Sequence, residues 1–245
     1  MRVGLTFAAQ RVFNMFGYHL SKLERGVRID DSFEEQLRLA GDPVATIFEV
    51  GSADGRDTRT YAERCTKAII HAFEPLPENF AKLRNVAEHE PRIVPINMAV
   101  SSKAGTASFH VAALADASSL FSARSTGSTF DKYTSNRGII DVNVTTLDEY
   151  CGRKKIEKID ILKMDAQGAE LEIIKGAGNI IKKKNISLIY SEVNFMRIYD
   201  GSCQFHEVTA YLEQFNYRLH AIYNQHHNQF GRLAWADAIY LPNID

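Results

Sequence analysis

Short apolar runs that alternate with amphipathic stretches constrain the fold of this chain more than any other feature. The runs predict buried strands at residues 45–50, 68–73, 93–97, 159–164 and 186–193, and the stretches predict helices at 56–66, 77–89, 169–175 and 206–215. Strands that alternate with helices in this way are joined by right-handed crossovers within a parallel sheet. The sequence therefore predicts an α/β fold.

The C-terminal end departs from this alternation. Two last strands are predicted at residues 217–223 and 235–241, separated by a polar stretch at 224–231. Because that stretch is too short for a crossover helix, we expect the two strands to form an antiparallel hairpin.

The N-terminal end predicts helices instead of strands. Phe13, Phe16, Leu20 and Leu23 recur at helical spacing, and a second helix is expected at 33–37 after the cap Asp30-Asp31-Ser32, with Gly41 and Pro43 as stop signals. We expect residues 1–43 to form a helical extension that packs on a domain of residues 44–245. Docking of the first helix on a partner or a bilayer surface is the alternative.

Composition excludes several classes of function. The 29 basic and 30 acidic residues give a net charge of −1, so we expect no nucleic-acid partner. No apolar run approaches the ~18 residues that a membrane span needs. Three widely spaced cysteines form no CxxC pattern and favour reduced thiols. We expect a cytoplasmic protein without a membrane span, and the oligomeric state stays open.

Residues 115–138 are rich in Ser, Thr, Gly and Asn and lie between predicted strands at 107–112 and 140–144. A long loop inside a compact domain is usually functional or mobile, so we predict a loop or lid on the substrate side. Its ring-bearing and cationic side chains would stack on a ring or hold an anionic group, although the aromatic ones are equally explained as anchors to the core. These side chains are Phe121, Arg124, Phe130, Tyr133 and Arg137.

The turn after the first strand, Glu49-Val-Gly51-Ser-Ala-Asp54-Gly55, is the strongest chemical signal. Glycine permits a sharp turn and a close approach to a ligand, and ligands of such sheets lie beyond the carboxyl ends of the strands. A pyrophosphate-binding turn would favour GxGxxG without carboxylates, whereas Asp54 and Asp57 suit a cationic ligand. A tight strand–helix turn with solvated acids is the alternative.

A second acid narrows the class of ligand. Glu74 ends the second strand, 23 residues after Gly51, where a carboxylate accepts hydrogen bonds from both ribose hydroxyls. Pro75 follows and fixes the chain as it leaves the strand. A helix cap would explain Glu74 alone, but together with the glycine turn it predicts a cationic, ribose-bearing cofactor.

From Thr46 to Leu241 the chain resembles the FkbM family of class I methyltransferases. The resemblance rests on the stretches FEVGSADGRDT, AFEPLPENFAKLRNV, INMAVSSKAGTASFHV, VTTLDEY, IDILKMDAQGAELEIIKGA and WADAIYL. The fifth stretch is the most specific, since the family typically shows K-x-D-x-x-G-x-E-x-x-x-L-x-G-A there. This chain departs from the family at Ala166-Gln167, where Val-Glu is common, and at Ile174, where Leu is common.

The resemblance implies a Rossmann-like, seven-stranded, mostly parallel sheet with an antiparallel last strand. It also implies S-adenosylmethionine as the methyl donor and O-methylation of a hydroxyl on a sugar, glycan or secondary metabolite. A non-catalytic binding or scaffold protein on the same fold is the alternative, because fold does not fix function. A dehydrogenase fits less well, because it would want GxGxxG.

The family's cofactor contacts carry over residue by residue. The implied methionine end meets Glu49, Gly51, Asp54 and Gly55, the ribose meets Glu74, and the adenine lies beside Asn97, Met98 and Ala99, while Asp165 faces the transferred methyl group. The whole implied cofactor-binding set is Glu49, Gly51, Ser52, Asp54, Gly55, Thr58, Glu74, Pro75, Asn97, Met98, Ala99 and Asp165.

Methyl transfer to a hydroxyl needs alignment and a general base. Asp165 and Glu192, each at a strand end, are the predicted catalytic carboxylates, and His110 and His206 are second choices. Asp165 would alternatively cap the turn at Gly168 and Ala169, and Glu192 would alternatively pair with Lys163 or Arg197.

A divalent metal is considered but not predicted. Asp165, Glu192 and Asn194 offer the hard oxygen ligands that Mg²⁺ prefers. His226 and His227 would suit a transition metal, but adjacent histidines on a polar loop are more often solvated.

Overall fold

A computed structural model describes Met15 and residues 31–243 of the chain. The described strands are β1 (Thr46–Val50), β2 (Ile69–Phe73), β3 (Ile93–Ile96), β4 (Ala99–Val100), β5 (Gly105–Ala112), β6 (Asn136–Thr145), β7 (Ile159–Met164), β8 (Ile186–Asn194), β9 (Tyr217–His227) and β10 (Leu233–Pro242). The helices of residues 31–243 are α1 (Ser32–Ala40), α2 (Arg56–Arg64), α3 (Pro77–Ala87), α4 (Asp131–Thr134), α5 (Leu147–Lys154), α6 (Glu170–Lys175), α7 (Gly178–Lys182) and α8 (Phe205–Glu213). The stripe Phe13, Phe16, Leu20 and Leu23 of the predicted first helix lies outside the described residues.

The larger sheet has seven strands in the order β3-β2-β1-β7-β8-β10-β9. The pairs from β3 to β8 are parallel, whereas β10 runs antiparallel to both β8 and β9. This confirms the predicted α/β class, with a mostly parallel sheet and an antiparallel strand near one edge. The final hairpin is longer than predicted, because β9 extends to His227 and leaves only residues 228–232 for the turn.

Helices cover both faces of this sheet, and each strand contributes alternate side chains to two cores. On one face Ile47 and Ile70 pack with α1, α2 and α3. On the other face Phe48 and Phe73 pack with α5, α6, α7 and α8. Strands buried on both sides are near-continuously apolar, which is why apolar runs located them in the sequence.

The predicted loop at 115–138 is partly regular, which corrects the sequence analysis. It contains a 3₁₀ helix at Ala115–Ala117 and the short helix α4, and β6 begins at Asn136 instead of 140. Between them the Asp131 carboxylate accepts hydrogen bonds from the backbone amides of Thr126 and Gly127. Strand β6 pairs with β4 and β5 in a separate three-stranded sheet that carries this segment.

Helix α1 is the part of the N-terminal extension that the structure describes. Asp31 caps it by accepting from the amides of Phe33 and Glu34, as its position before the helix predicts. The Phe33 ring lies 4.9 Å from that of Tyr61 on α2, and Glu35 contacts His220 on β9 at 2.9 Å. These contacts hold α1 against the sheet.

Besides the short helix α4, two helices were missed from the sequence, α5 and α7. The N-terminus of α5 has a detectable signal, because Thr146 accepts a hydrogen bond from the amide of Glu149 three residues later. Helix α7 has five residues, too few for a periodic pattern. None of the helices described at 31–243 is long and apolar enough to cross a membrane.

Candidate active site

The candidate site lies where the direction of strand order reverses, between β1 and β7. The chain leaves β1 toward β2 on one side, and β7 lies on the other, so the loops after β1 and β7 diverge and open a crevice. Gly51 allows the chain after β1 to pass close to the backbone at the end of β7. It has φ +83°, and a Cβ on it would lie 1.9 Å from the backbone oxygen of Asp165.

The crevice is a cleft of about 210 Å³. Eight of the sequence-predicted cofactor residues line it: Gly51, Ser52, Asp54, Glu74, Pro75, Met98, Ala99 and Asp165. Its apolar walls come from Val50, Phe73, Val100, Phe109 and Leu120. The last two belong to β5 and the segment after it, so the smaller sheet closes the cleft on that side.

The other four predicted cofactor residues do not line the cleft. Glu49 and Thr58 are fully buried and bonded to each other, with the Thr58 hydroxyl donating to Glu49 Oε2. Gly55 lies against Leu83 of α3. The Asn97 amide donates to the backbone oxygens of Glu74 and Pro75, at 2.9 and 3.1 Å. Glu49 and Thr58 therefore lie behind the wall of the cleft, whereas Asn97 is exposed and holds the backbone at Glu74 and Pro75.

Lys163, a lining residue that the site prediction did not include, explains why Glu49 is buried. Lys163 faces Glu49 across the β1–β7 pairing, and its Nζ lies 2.9 Å from Glu49 Oε1 and 2.6 Å from Asp57 Oδ2. Burial lowers the pKa of Lys163, but the two carboxylates raise it well above its ordinary value. The lysine therefore stays charged and holds β1, β7 and the start of α2 together. The K-x-D spacing in the family stretch was the available signal.

Glu74 is a second buried acid at the cleft, and its pKa is raised. It is 5% exposed, and its two oxygens accept the backbone amides of Ala53 and Leu76, both at 2.8 Å. Burial raises the pKa of this carboxyl from 4.5 to about 7, although both hydrogen bonds oppose the rise. Each oxygen keeps a further lone pair for a ligand in the cleft.

Asp165 and Glu192 are brought together by a residue between them. Gln167 Nε2 donates to Asp165 Oδ1 at 2.7 Å and lies 3.5 Å from Glu192 Oε1. Because an ionised carboxylate accepts only, the amide nitrogen of Gln167 faces Asp165, and Gln167 Oε1 then accepts from the Tyr199 hydroxyl at 2.8 Å. The same hydroxyl lies 2.9 Å from the backbone oxygen of Ala117.

The two carboxyls differ in how far their surroundings raise the pKa. Burial raises the pKa of Asp165, although Lys163 and the hydrogen bond from Gln167 oppose the rise. Burial, together with Asp165 and Glu170, raises the pKa of Glu192 well above its ordinary value. Of the two, Asp165 is therefore the carboxyl that ionises more readily, and Glu192 holds its proton more tightly.

The loop that presents Asp165 is held from below by Glu170. Its Oε1 accepts the amides of Ala166 at 2.9 Å and Gly168 at 3.2 Å, so Glu170, and not Asp165, caps this turn. Gly168 has φ +99°, and a Cβ there would lie 2.5 Å from the Cβ of Ser202. Likewise Glu192 pairs with neither suggested cation, since Lys163 contacts Glu49 and Arg197 contacts Glu207.

A second cavity of about 430 Å³ opens beside the cleft, and Asp116, Asp165 and Gln167 line both. Its remaining lining residues are Leu114, Ala117, Phe130, Tyr133, Thr134, Glu192, Ile198, Tyr199, His226 and Trp235. Of the predicted loop side chains, Phe130 and Tyr133 reach this cavity, whereas Phe121, Arg124 and Arg137 do not. The second-choice bases His110 and His206 line neither cavity.

The aromatic part of the second cavity comes from distant segments. The ring of Phe130 meets Trp235 edge-on at 4.5 Å, and His226 stacks on Trp235 at 4.9 Å. No sequence signal links these residues, because they lie on the loop, β9 and β10. Within residues 31–243 and Met15, no three His, Cys, Asp or Glu side chains are grouped to hold a metal ion.

Known proteins that are similar to this chain include a family domain, two relatives and a solved structure. The methyltransferase FkbM domain matches residues 49–219, more than half of the chain. The 2-O-methyltransferase NoeI of Sinorhizobium fredii is 26% identical over 88% of this chain and 89% of its own length. The hexuronic acid methyltransferase AglP of Haloferax volcanii is 29% identical over 58% of this chain and 54% of its own. An rRNA methylase structure from Streptococcus thermophilus superposes with a TM-score of 0.49 at 11% identity, covering 91% of this chain and 100% of that one. Because the family domain matches more than half of the chain, the chain belongs to the FkbM family of methyltransferases.

Proposed function

We propose that this protein is an S-adenosylmethionine-dependent O-methyltransferase that acts on a hydroxyl group of a sugar or glycan. The observation that carries the proposal is the meeting of two cavities at Asp165 and Gln167, one beside Glu74 and one lined by aromatic rings. A transferase needs two adjoining sites of this kind. The names of the relatives NoeI and AglP support methylation, in one case of a sugar acid.

The residues of the cleft fit the cofactor. Glu74 offers two oxygens to the ribose hydroxyls, and Phe73, Met98 and Phe109 offer apolar surface to an adenine ring. Asp54 and Asp57 place negative charge at the other end of the cleft, which suits the amino group of the methionine portion. When bound, S-adenosylmethionine supplies an electrophilic methyl group to an acceptor oxygen.

Asp165 is the group that we propose accepts the proton of the acceptor hydroxyl. It lines both cavities, and Lys163 and the Gln167 hydrogen bond oppose the rise in its pKa that burial causes, so both favour its ionised form. Glu192, which holds its proton more tightly, donates a hydrogen bond within the acceptor cavity. Gln167 keeps the two carboxyls apart and is itself oriented by Tyr199. Alignment of the acceptor oxygen and removal of its proton are then the main contributions of the chain to the rate.

The first test is calorimetric titration with S-adenosylmethionine, followed by transfer of a labelled methyl group to a panel of glycosides. We expect Asp165→Asn to lower kcat by roughly 10²–10⁴ while the fold is retained. Asp141→Asn, at an exposed position on β6, is the matched control and should behave as wild type. Absence of binding at millimolar cofactor would refute the proposal, and binding without any transfer would favour a non-catalytic binding protein.

A further inference from the structure

The cavity beside the cofactor cleft has an unusual balance of charge for a site that is part polar and part aromatic. Three carboxylic side chains line it, from Asp116, Asp165 and Glu192. Among the described residues, no lysine or arginine lines it. Arg137, the loop cation that would have offered a positive charge, lies 3.7 Å from Glu78 in an ion pair instead.

The aromatic side of the cavity is built as one wall. Trp235 is its centre, with Phe130 edge-on and His226 stacked against it, and Tyr133 lies in the same lining. Tyr133 is 43% exposed, so this wall is open to a ligand that extends into solvent. Flat apolar surfaces of this kind take the C–H face of a pyranose ring, while nearby polar groups bind its hydroxyls.

The polar side of the cavity favours an uncharged ligand. Hydroxyl groups donate hydrogen bonds to carboxylates, and Asp116 is held in place for this by the Asn79 amide at 3.2 Å. A ligand carboxylate in the same place would face acidic side chains with no cation to pair with it. Like charges without a counter-ion in a partly buried site strongly disfavour binding of a charged ligand.

We propose that this cavity selects an uncharged sugar unit as acceptor and discriminates against a uronic acid. The inference rests on the proposed function and sets the chain apart from a relative named as a hexuronic acid methyltransferase. In this proposal Phe130 and Trp235 contact the sugar ring, and Asp116 repels a ligand carboxylate.

The single tryptophan of the chain supplies a direct readout, because Trp235 lies in the cavity. Its fluorescence is followed while methyl glucoside, methyl galactoside and methyl mannoside are titrated, each against its matched methyl uronide. The titrations use the protein saturated with S-adenosylhomocysteine at pH 8, above the range in which histidine side chains gain a charge. We expect the neutral member of a pair to bind with a dissociation constant lower by about tenfold or more.

Two variants, Phe130→Ala and Asp116→Asn, separate the roles of the aromatic and the acidic side chains in the cavity, and Phe230→Ala is the control for the first. Phe130→Ala is expected to weaken binding of the neutral glycoside about tenfold, whereas Phe230→Ala, at a position 79% exposed in the β9–β10 turn, leaves it unchanged. Asp116→Asn is expected to narrow the difference between glycoside and uronide, mainly by tighter binding of the uronide.

Equal or tighter binding of the uronides would overturn the inference, and so would neutral glycosides that leave Trp235 unperturbed. Calorimetry with S-adenosylhomocysteine is run on the same protein preparation before it is saturated with that ligand. If that ligand binds and the sugar preference fails, the acceptor class is wrong and the methyltransferase proposal stands. If that ligand does not bind, the proposed function itself fails.

Discussion

Affinity for the ribose-bearing ligand is expected to depend on pH through Glu74. The side chain is 5% exposed, and burial raises the pKa of its carboxyl from 4.5 to about 7. Near neutrality, therefore, about half of the ligand-free protein carries a protonated Glu74. Ribose hydroxyls donate hydrogen bonds and bind best to the ionised form, so binding lowers the pKa of Glu74 and releases a proton.

The sign and size of the effect follow from that pKa. Affinity approaches its maximum above about pH 8 and is lost as the pH falls through about 7, because the ionised fraction drops from about 0.9 at pH 8 to about 0.1 at pH 6. The dissociation constant should rise about tenfold over this interval, which corresponds to about 1.4 kcal/mol.

The assay is isothermal titration calorimetry with 5′-methylthioadenosine, which keeps the ribose but has no amino acid portion whose amine would titrate. Glu74→Gln should flatten the profile between pH 6 and 8 and weaken binding at pH 8 about tenfold to a hundredfold, since a charge-assisted hydrogen bond contributes about 1.5–3 kcal/mol. Glu88→Gln makes the same change of charge at the exposed end of α3 and should retain the wild-type profile.

Two results would refute this reasoning. One is a wild-type dissociation constant that does not change between pH 6 and 8. The other is a Glu74→Gln variant that keeps the wild-type slope, since the titrating group would then lie elsewhere in the cleft.

Three further substitutions test the supports of the site. Gly51→Ala should destabilise the fold by about 4 kcal/mol or more in thermal denaturation, because its Cβ would overlap a backbone oxygen across the β1–β7 junction. The control is Gly152→Ala, in open space on α5, which should be neutral or stabilising. Lys163→Met should lower the free energy of unfolding in urea by about 3–5 kcal/mol by leaving Glu49 buried and unpaired, and adding Glu49→Gln should restore part of it. A Lys163→Met variant as stable as wild type would contradict this role. Tyr199→Phe should free Gln167, lower kcat about tenfold and move the acid limb of the pH–rate profile upward; an unchanged profile would exclude a positioning role.

Much of the fold was predictable because it depends on local sequence. Strands buried on both faces must be apolar throughout, so Ile159–Met164 was located to the residue. The glycine turn after β1 and the short polar connection before the last strand are likewise properties of neighbouring residues. The segment at 115–138 was described less well, because its short helix and the start of β6 are stabilised by hydrogen bonds between side chains and backbone and by pairing with β5.

The sequence by itself determined the sheet, the turn that opens the cleft, and the acids Glu74 and Asp165 that line it. Only the tertiary structure decided that Glu49 faces Lys163 behind the cleft and that Gln167 lies between two carboxyls. Strand periodicity tells which face a side chain takes, but not which distant group meets it there. The charge state of a buried acid and the shape of a cavity depend on those meetings, so they are decided when remote segments pack.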